Sequence, residues 1–225
     1  MAFYNKTGNR LHTIYTAATP EYGKESFFVR FERDIAHIKH LYPKVQYIGI
    51  ADGAKDNWPF LEKHTEIQIT DFWHATEYLG KAANVIYKGK AKMEERTKWL
   101  DDRCHKLKHN HGAASRILRE METFKTNLKI SKEDYKILVS SITYFKNQKQ
   151  RMTYAKNVNS QLPIGSGVTE AACKLIVKQR LCCSGMKWKD RGASIVLALR
   201  TLSYTNKRWP QFWGKINQYG SSLAA

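Results

Sequence analysis

Residues 45–71 constrain the fold more than any other stretch. Residues 45–51 form an apolar run that reads as a buried strand and ends at Asp52. Asp56 or Asn57 can then cap a short helix carrying Trp58, Pro59, Phe60 and Leu61, since proline is tolerated in a first helical turn. A second short strand over residues 66–70 follows and ends at Asp71. Strand, helix and strand in this order imply a right-handed crossover between parallel strands, with functional groups at their carboxyl ends. Asp52 and Asp71 both fall at such ends.

The flanking segments complete an α/β chain. Residues 2–4 and 10–16 alternate like a hairpin around the polar turn of residues 5–9. Phe27, Phe28, Phe31, Ile35, Ile38 and Leu41 recur at helical spacing and predict an amphipathic helix over residues 24–41 that packs on a sheet. From Asp71 to about Tyr154 the pattern is helical, with breaks near Gly89, at residues 110–112 and at residues 127–131. The chain turns at Pro163 and at Gly165-Ser166-Gly167, then enters a helix expected over residues 168–182 with Glu170 in its first turn. Two more helices are expected, over residues 193–204 and 208–219. The expected organisation is an α/β core over residues 1–79, a basic all-α insertion over 80–160, and C-terminal helices over 161–225 that return to the core.

Charge narrows the partner. The 225 residues carry a net charge of +18, spread unevenly: residues 1–79 hold 9 Lys/Arg against 10 Asp/Glu, residues 80–160 hold 19 against 8, and residues 161–225 hold 10 against 2. A surface this basic points to a polyanion, because each neutralised phosphate releases condensed counterions. Nucleic acid leads, ahead of ribosome-like or membrane-surface binding. No segment approaches the roughly 18 consecutive apolar residues of a membrane span, and residues 1–6 lack a signal-peptide apolar region, so the expectation is an intracellular, DNA-associated protein without a membrane partner. Cys104, Cys173, Cys182 and Cys183 show no Cys-x-x-Cys spacing and are expected as reduced thiols in the core.

A strand-end Asp and a distant helix-borne Glu meet part of what a two-metal phosphoryl-transfer site requires. Such sites hold two divalent ions about 3.5–4 Å apart, one activating the attacking oxygen and the other stabilising the leaving one. Hard Mg²⁺ selects carboxylate oxygens on rigid elements. Taken alone, Asp-Gly after a strand is a turn signature and Glu in a first turn stabilises the helix dipole. The context is longer than either. Ala51-Asp52-Gly53-Ala54-Lys55-Asp56-Asn57-Trp58, then Asp71-Phe72-Trp73-His74-Ala75-Thr76-Glu77-Tyr78-Leu79, are followed by Pro163-Ile164-Gly165-Ser166-Gly167-Val168-Thr169-Glu170-Ala171-Ala172-Cys173-Lys174, Gln179-Arg180-Leu181 and Ser184-Gly185-Met186-Lys187-Trp188. In this order they closely resemble bacterial insertion-sequence transposases of the ISKra group, over nearly the whole chain.

That resemblance implies a DDE transposase with an RNase H-like core, an all-α insertion between the second catalytic Asp and the final Glu, and Mg²⁺ or Mn²⁺ as cofactor. It assigns Asp52 as the second Asp and Glu170 as the final Glu, both metal-binding. Asp71 and His74 match the family's Asp-x-x-His motif and are expected beside the active site, orienting its groups or DNA. The departure is at the front. The family's first catalytic Asp sits on a strand preceding the hairpin, whereas upstream of Asp52 only Glu21, Glu25, Glu32 and Asp34 are acidic, in turn or helix contexts. The expectation is an N-terminally truncated core lacking its first strand, with open backbone edges on the hairpin and on the strand ending at Asp52.

The function expected from this is a transposase catalytic-domain fragment for DNA cleavage and strand transfer, inactive alone for want of the first Asp. The alternative is a non-enzymatic DNA-binding remnant that occupies transposon ends or joins intact transposase and poisons it. Partners are transposon-end and target DNA, another copy, or intact transposase. A basic RNA-binding protein would need single-strand stacking platforms, which the sequence does not reveal.

Lys174 and Lys178, at i+4 and i+8 from Glu170, are expected on roughly its face and, with Arg180 and Lys187, to meet DNA phosphates or pair with the carboxylate. Trp188 could stack on a base or close the core. Lys88, Lys90, Lys92, Arg96 and Lys98 with Trp99 form a basic stripe facing DNA or solvent. Cys104, His105, His109 and His111 invite a zinc reading, against which a solvated basic helix end is the simpler one.

Overall fold

A computed structural model describes residues 1–19, 23–127 and 130–220, and shows a mostly helical chain with two small two-stranded sheets. Among the upstream acids, Glu25, Glu32 and Asp34 lie on the first long helix, and Glu21 falls outside the described residues. The chain divides into two compact units, one built from Met1–Val45 with Gly167–Ala225, the other from Gln46–Ser166.

The central unit begins with the strand–helix–strand segment. Strand β3 (Ile48–Ala51) leads through α2 (Asn57–His64) to β4 (Ile67–Thr70). The two strands pair in parallel from Ile48↔Ile67 to Ala51↔Thr70, so both strands end at the same edge of the sheet. α2 starts without a side-chain cap bond from Asp56, and Asn57 instead turns its amide to Asp52.

Helices α3 (Phe72–Ile86), α4 (Met93–His109), α5 (Ala113–Asn127), α6 (Lys132–Gln148) and α7 (Tyr154–Asn159) follow in the same unit, broken near Gly89 and Gly112 as their sequence signals indicate. Phe72, Ala75, Leu79, Ala82, Ala83 and Ile86 recur on one face of α3 and are buried. They join Ile69 of β4, Ile117, Leu118 and Met121 of α5, and Leu138, Ile142 and Phe145 of α6 in one continuous core. Burying each of the larger side chains, leucine, isoleucine, methionine or phenylalanine, contributes about 1.5–3 kcal/mol. The helical segment therefore shares its core with β4.

Part of the expected basic stripe is structural. Trp99 is buried, its indole N–H donates to Glu120 Oε1 at 2.9 Å, and Arg103 grips both oxygens of Glu120 at 2.5 and 2.6 Å. Burial alone would raise the Glu120 carboxyl, but the Arg103 and Trp99 hydrogen bonds outweigh it and hold the group below the usual glutamate range. Lys88 pairs with Asp134 at 2.5 Å.

The second unit contains the hairpin β1 (Ala2–Tyr4) and β2 (Arg10–Thr13), antiparallel with Ala2 opposite Thr13, and the long helix α1 (Gly23–Leu41). It also contains α8 (Gly167–Ala172), a π-helical stretch (Cys173–Lys178), α9 (Gln179–Leu181), α10 (Asp190–Tyr204) and α11 (Arg208–Tyr219). Arg208 of α11 pairs with Asp34 of α1 at 3.3 Å, and Arg200 of α10 donates to the carbonyls of Leu175 and Ile176. Its core is thin: among the described residues only Ile35, Ile38, Ile176 and Leu197 are buried hydrophobics.

Two expectations are corrected here. Cys173, Cys182 and Cys183 are free thiols on the surface, not core residues, because the segment carrying them is a short helical rod that buries only Ile176. Cys104 alone is half-buried, and desolvation pushes its thiol up to about 11. The second correction concerns the expected single helix over residues 168–182. Instead α8 runs into a stretch from Cys173 to Lys178 whose hydrogen bonds close at i+5, followed by α9.

Candidate functional site

The carboxyl ends of β3 and β4 carry the two aspartates in different states. Asp52 follows the last paired residue of β3 and its side chain is exposed. Its Oδ1 accepts from the Ala54 N–H at 3.0 Å and from the Asn57 amide at 3.3 Å, while Oδ2 takes no donor from the described residues. This is a hard oxygen donor, fixed in direction by one turn and open on its other side.

The loop under Asp52 is pinned from α6. Tyr144 donates its hydroxyl to the Asp52 carbonyl at 2.8 Å, and Gln148, one turn further along, donates to the Gly53 carbonyl at 3.0 Å. Gln148 also accepts from the Thr70 hydroxyl at 3.4 Å, and Tyr154 donates to the Thr70 carbonyl at 2.9 Å. The ends of both strands are thus tied into the helical segment. Gly53 takes φ = 102°, and a Cβ there would stand 2.9 Å from Tyr144 Cε2. Tyr144 lies flat on Tyr78, with ring centroids 3.9 Å apart. Burial, with the neighbouring Tyr78 and Asp52, pushes its hydroxyl well above the ordinary tyrosine range, so it stays a donor throughout the physiological range.

Asp71 is fully buried and already satisfied. Its backbone N–H donates to the Ala51 carbonyl at 2.7 Å, continuing the parallel ladder by one residue. Its side chain caps α3: Oδ1 accepts from the N–H groups of Trp73 at 2.7 Å and His74 at 3.1 Å. Oδ2 accepts a short bond from the Ser166 N–H, and the Phe72 N–H donates to the Ile164 carbonyl at 3.0 Å. Asp71 therefore fastens the loop of residues 164–166 to the start of α3. Trp73 stands beside it, 59% exposed, against Gly165, where an added Cβ would come within 3.2 Å of the indole. His74 turns its Nδ1 to Glu77 Oε2 at 3.3 Å.

These states decide which residues suit a divalent cation. Asp52 has the free carboxylate oxygen that Mg²⁺ or Mn²⁺ prefers. Asp71 does not fit as a ligand, since both its oxygens already accept backbone donors; it is a positioning residue. Among the described residues no group of three or more His, Cys, Asp or Glu side chains is assembled as a metal site.

Glu170 and the basic candidates lie in the other unit. Glu170 is exposed in α8, and Lys174 and Lys178 are exposed in the π-helical stretch. Arg180 places its guanidinium 5.1 Å over the ring of half-buried Trp188, and Lys187 is exposed. Trp188 buries its indole N–H without a partner among the described residues. His105 and His109 of α4 are exposed and contact each other, with centroids 4.7 Å apart.

Sequence reasoning did not find Tyr144, Gln148, Tyr154 or Ser166. Tyr144 and Gln148 carry no signal that sets them apart, since α6 also offers Ser140, Thr143 and Asn147. Compared with known family models, curated proteins and solved structures, the chain matches none.

Proposed function

We propose that this chain is a catalytic-domain portion of a DNA transposase, similar to the ISKra group, with an RNase H-like core interrupted by the helical segment. The observation that carries the reading is the exposed Asp52 carboxylate at the end of β3, in register with the end of β4 and pinned by Tyr144 and Gln148. Rigid strand-end oxygens of this kind suit ions that direct phosphoryl transfer. In this reading Asp52 and Glu170 hold divalent metal. Bound metal would activate the attacking oxygen and stabilise the leaving one on a DNA phosphodiester. Asp71 sets the start of α3 and the direction of His74, and Lys174, Lys178, Arg180 and Lys187 neutralise DNA phosphates.

A second reading, a DNA-binding protein without cleavage, draws on the charge alone: residues 161–225 carry 10 Lys/Arg against 2 Asp/Glu. This reading needs none of the carboxylates.

A cleavage assay separates the two. Among the described residues no strand before Asp52 carries an acid, and the transposase reading calls for a third carboxylate. With an added peptide that carries a strand-borne Asp, Mg²⁺-dependent cleavage of a duplex carrying the element's end is expected. Asp52→Asn should reduce this cleavage at least a hundredfold while leaving duplex binding within twofold. Cleavage by this chain alone that survives Asp52→Asn, or binding without cleavage when the peptide is present, would overturn the reading.

A further inference from the structure

The last two helices leave an aromatic face uncovered. None of the 12 residues of α11 is buried. Trp209, Trp213 and Tyr219 are 36%, 46% and 76% exposed, and Ile195 and Leu199 of α10 are 51% and 40% exposed. The rings of α11 are organised: Trp213 meets Trp209 edge-on at 5.6 Å and Phe212 at 5.3 Å, and Trp209 stacks on Phe212 at 6.0 Å. A face of this kind requires an occupant, because leaving several aromatic rings in water forgoes about 1.5–3 kcal/mol for each one that could be covered.

The charge around that face selects the occupant. From Arg191 to Gly220 the chain has five Lys/Arg and no Asp or Glu, and Arg208 is held by Asp34 at the start of α11. A polyanion is therefore accepted without repulsion. Anionic lipid is the poorer match, since an interfacial helix is rich in cations along its polar face, whereas past its first residue α11 has only Lys215. Unpaired nucleobases match better, because every base offers a π-face to an aromatic ring beside a cationic backbone track.

We propose that the α10–α11 surface is a stacking platform for single-stranded DNA, with Trp209 and Trp213 as the base-contacting residues and Lys207 and Lys215 beside the phosphates. The choice of DNA over RNA rests on the transposase reading. The platform itself rests on the exposed rings and on a stretch, residues 191–220, that carries no Asp or Glu.

The test uses the full chain and fluorescein-labelled oligothymidylate of 15 nucleotides, followed by anisotropy at fixed salt. Base stacking is worth about 1–3 kcal/mol per base, which is about 5- to 150-fold in affinity. Trp213→Ala and Trp209→Ala are each expected to weaken binding by at least fivefold, Trp213→Phe by less than threefold, and duplex binding should change less than twofold in all three. Circular dichroism of each variant checks folding, which these exposed positions leave intact. Equal loss of single-strand and duplex binding, a shift of the chain to a dimer through this face, or preferential binding to phosphatidylglycerol vesicles would overturn the proposal. Tighter Trp-dependent binding to oligouridylate of the same length would overturn the DNA assignment. Failure of the cleavage assay leaves oligothymidylate binding unaffected, so the two readings fail separately.

Discussion

Asp71→Ala is expected to lower the unfolding free energy of the chain by about 3 kcal/mol. Loss of an N-cap removes about 1 kcal/mol, and each buried donor left without an acceptor costs about 1–3 kcal/mol where water does not reach it. Asp71 serves three donors, the N–H groups of Trp73, His74 and Ser166, from a side chain with no exposed surface. Asp71→Asn keeps one acceptor for α3 and presents an amide N–H₂ toward the Ser166 N–H, so its loss should fall between wild type and alanine. Urea denaturation of the three proteins measures the series. Against a total stability of about 5–15 kcal/mol, the alanine variant loses a large fraction. A change under about 0.5 kcal/mol would mean that the cap and the loop of residues 164–166 are not coupled as described.

Gly53→Ala should be comparably damaging, by about 2–4 kcal/mol, for a different reason. At φ = 102° an L-residue is strained by about 1–3 kcal/mol, and the new Cβ would meet Tyr144 Cε2 at 2.9 Å. Tyr144 cannot yield freely, because one face of its ring is stacked on Tyr78 and its hydroxyl holds the Asp52 carbonyl. The steric and backbone contributions separate in a double-mutant cycle with Tyr144→Leu. Relief of the clash should recover part of the loss, and the part that remains is backbone strain. Tyr144→Phe alone removes only the hydrogen bond and should lose about 1 kcal/mol. Full additivity in the cycle would show that Gly53 and Tyr144 do not touch.

The parts of this fold that were legible in the sequence are those set by local pattern. The apolar run before Asp52, the Pro59-containing helix, the short strand before Asp71 and the breaks at Gly89 and Gly112 all follow from periodicity and backbone preference. What the sequence hid depends on long-range contacts or on energies that local pattern does not encode. The motif places Asp71 beside the site, but nothing local announces the close approach of Ser166, 95 residues away, that takes its second oxygen. Tyr144 and Gln148 look like ordinary polar positions until α6 is packed against the strand ends. The π-helical stretch left no sequence mark, since Cys173–Lys178 reads as a regular apolar helix. The exposed aromatics of α11 also escaped, because their spacing is that of a core-facing helix and only the lack of a covering partner among the described residues distinguishes them.

The central claim is that Asp52 is a metal-binding carboxylate at a strand end, and Mn²⁺ titration of the isotope-labelled chain, followed by NMR, tests it most directly. The account predicts that the amide signals of residues 51–54 broaden first, that excess Mg²⁺ restores them, and that Asp52→Asn removes the effect without shifting the signals of α6. Broadening that persists unchanged in Asp52→Asn, or none at all at millimolar Mn²⁺, would contradict it.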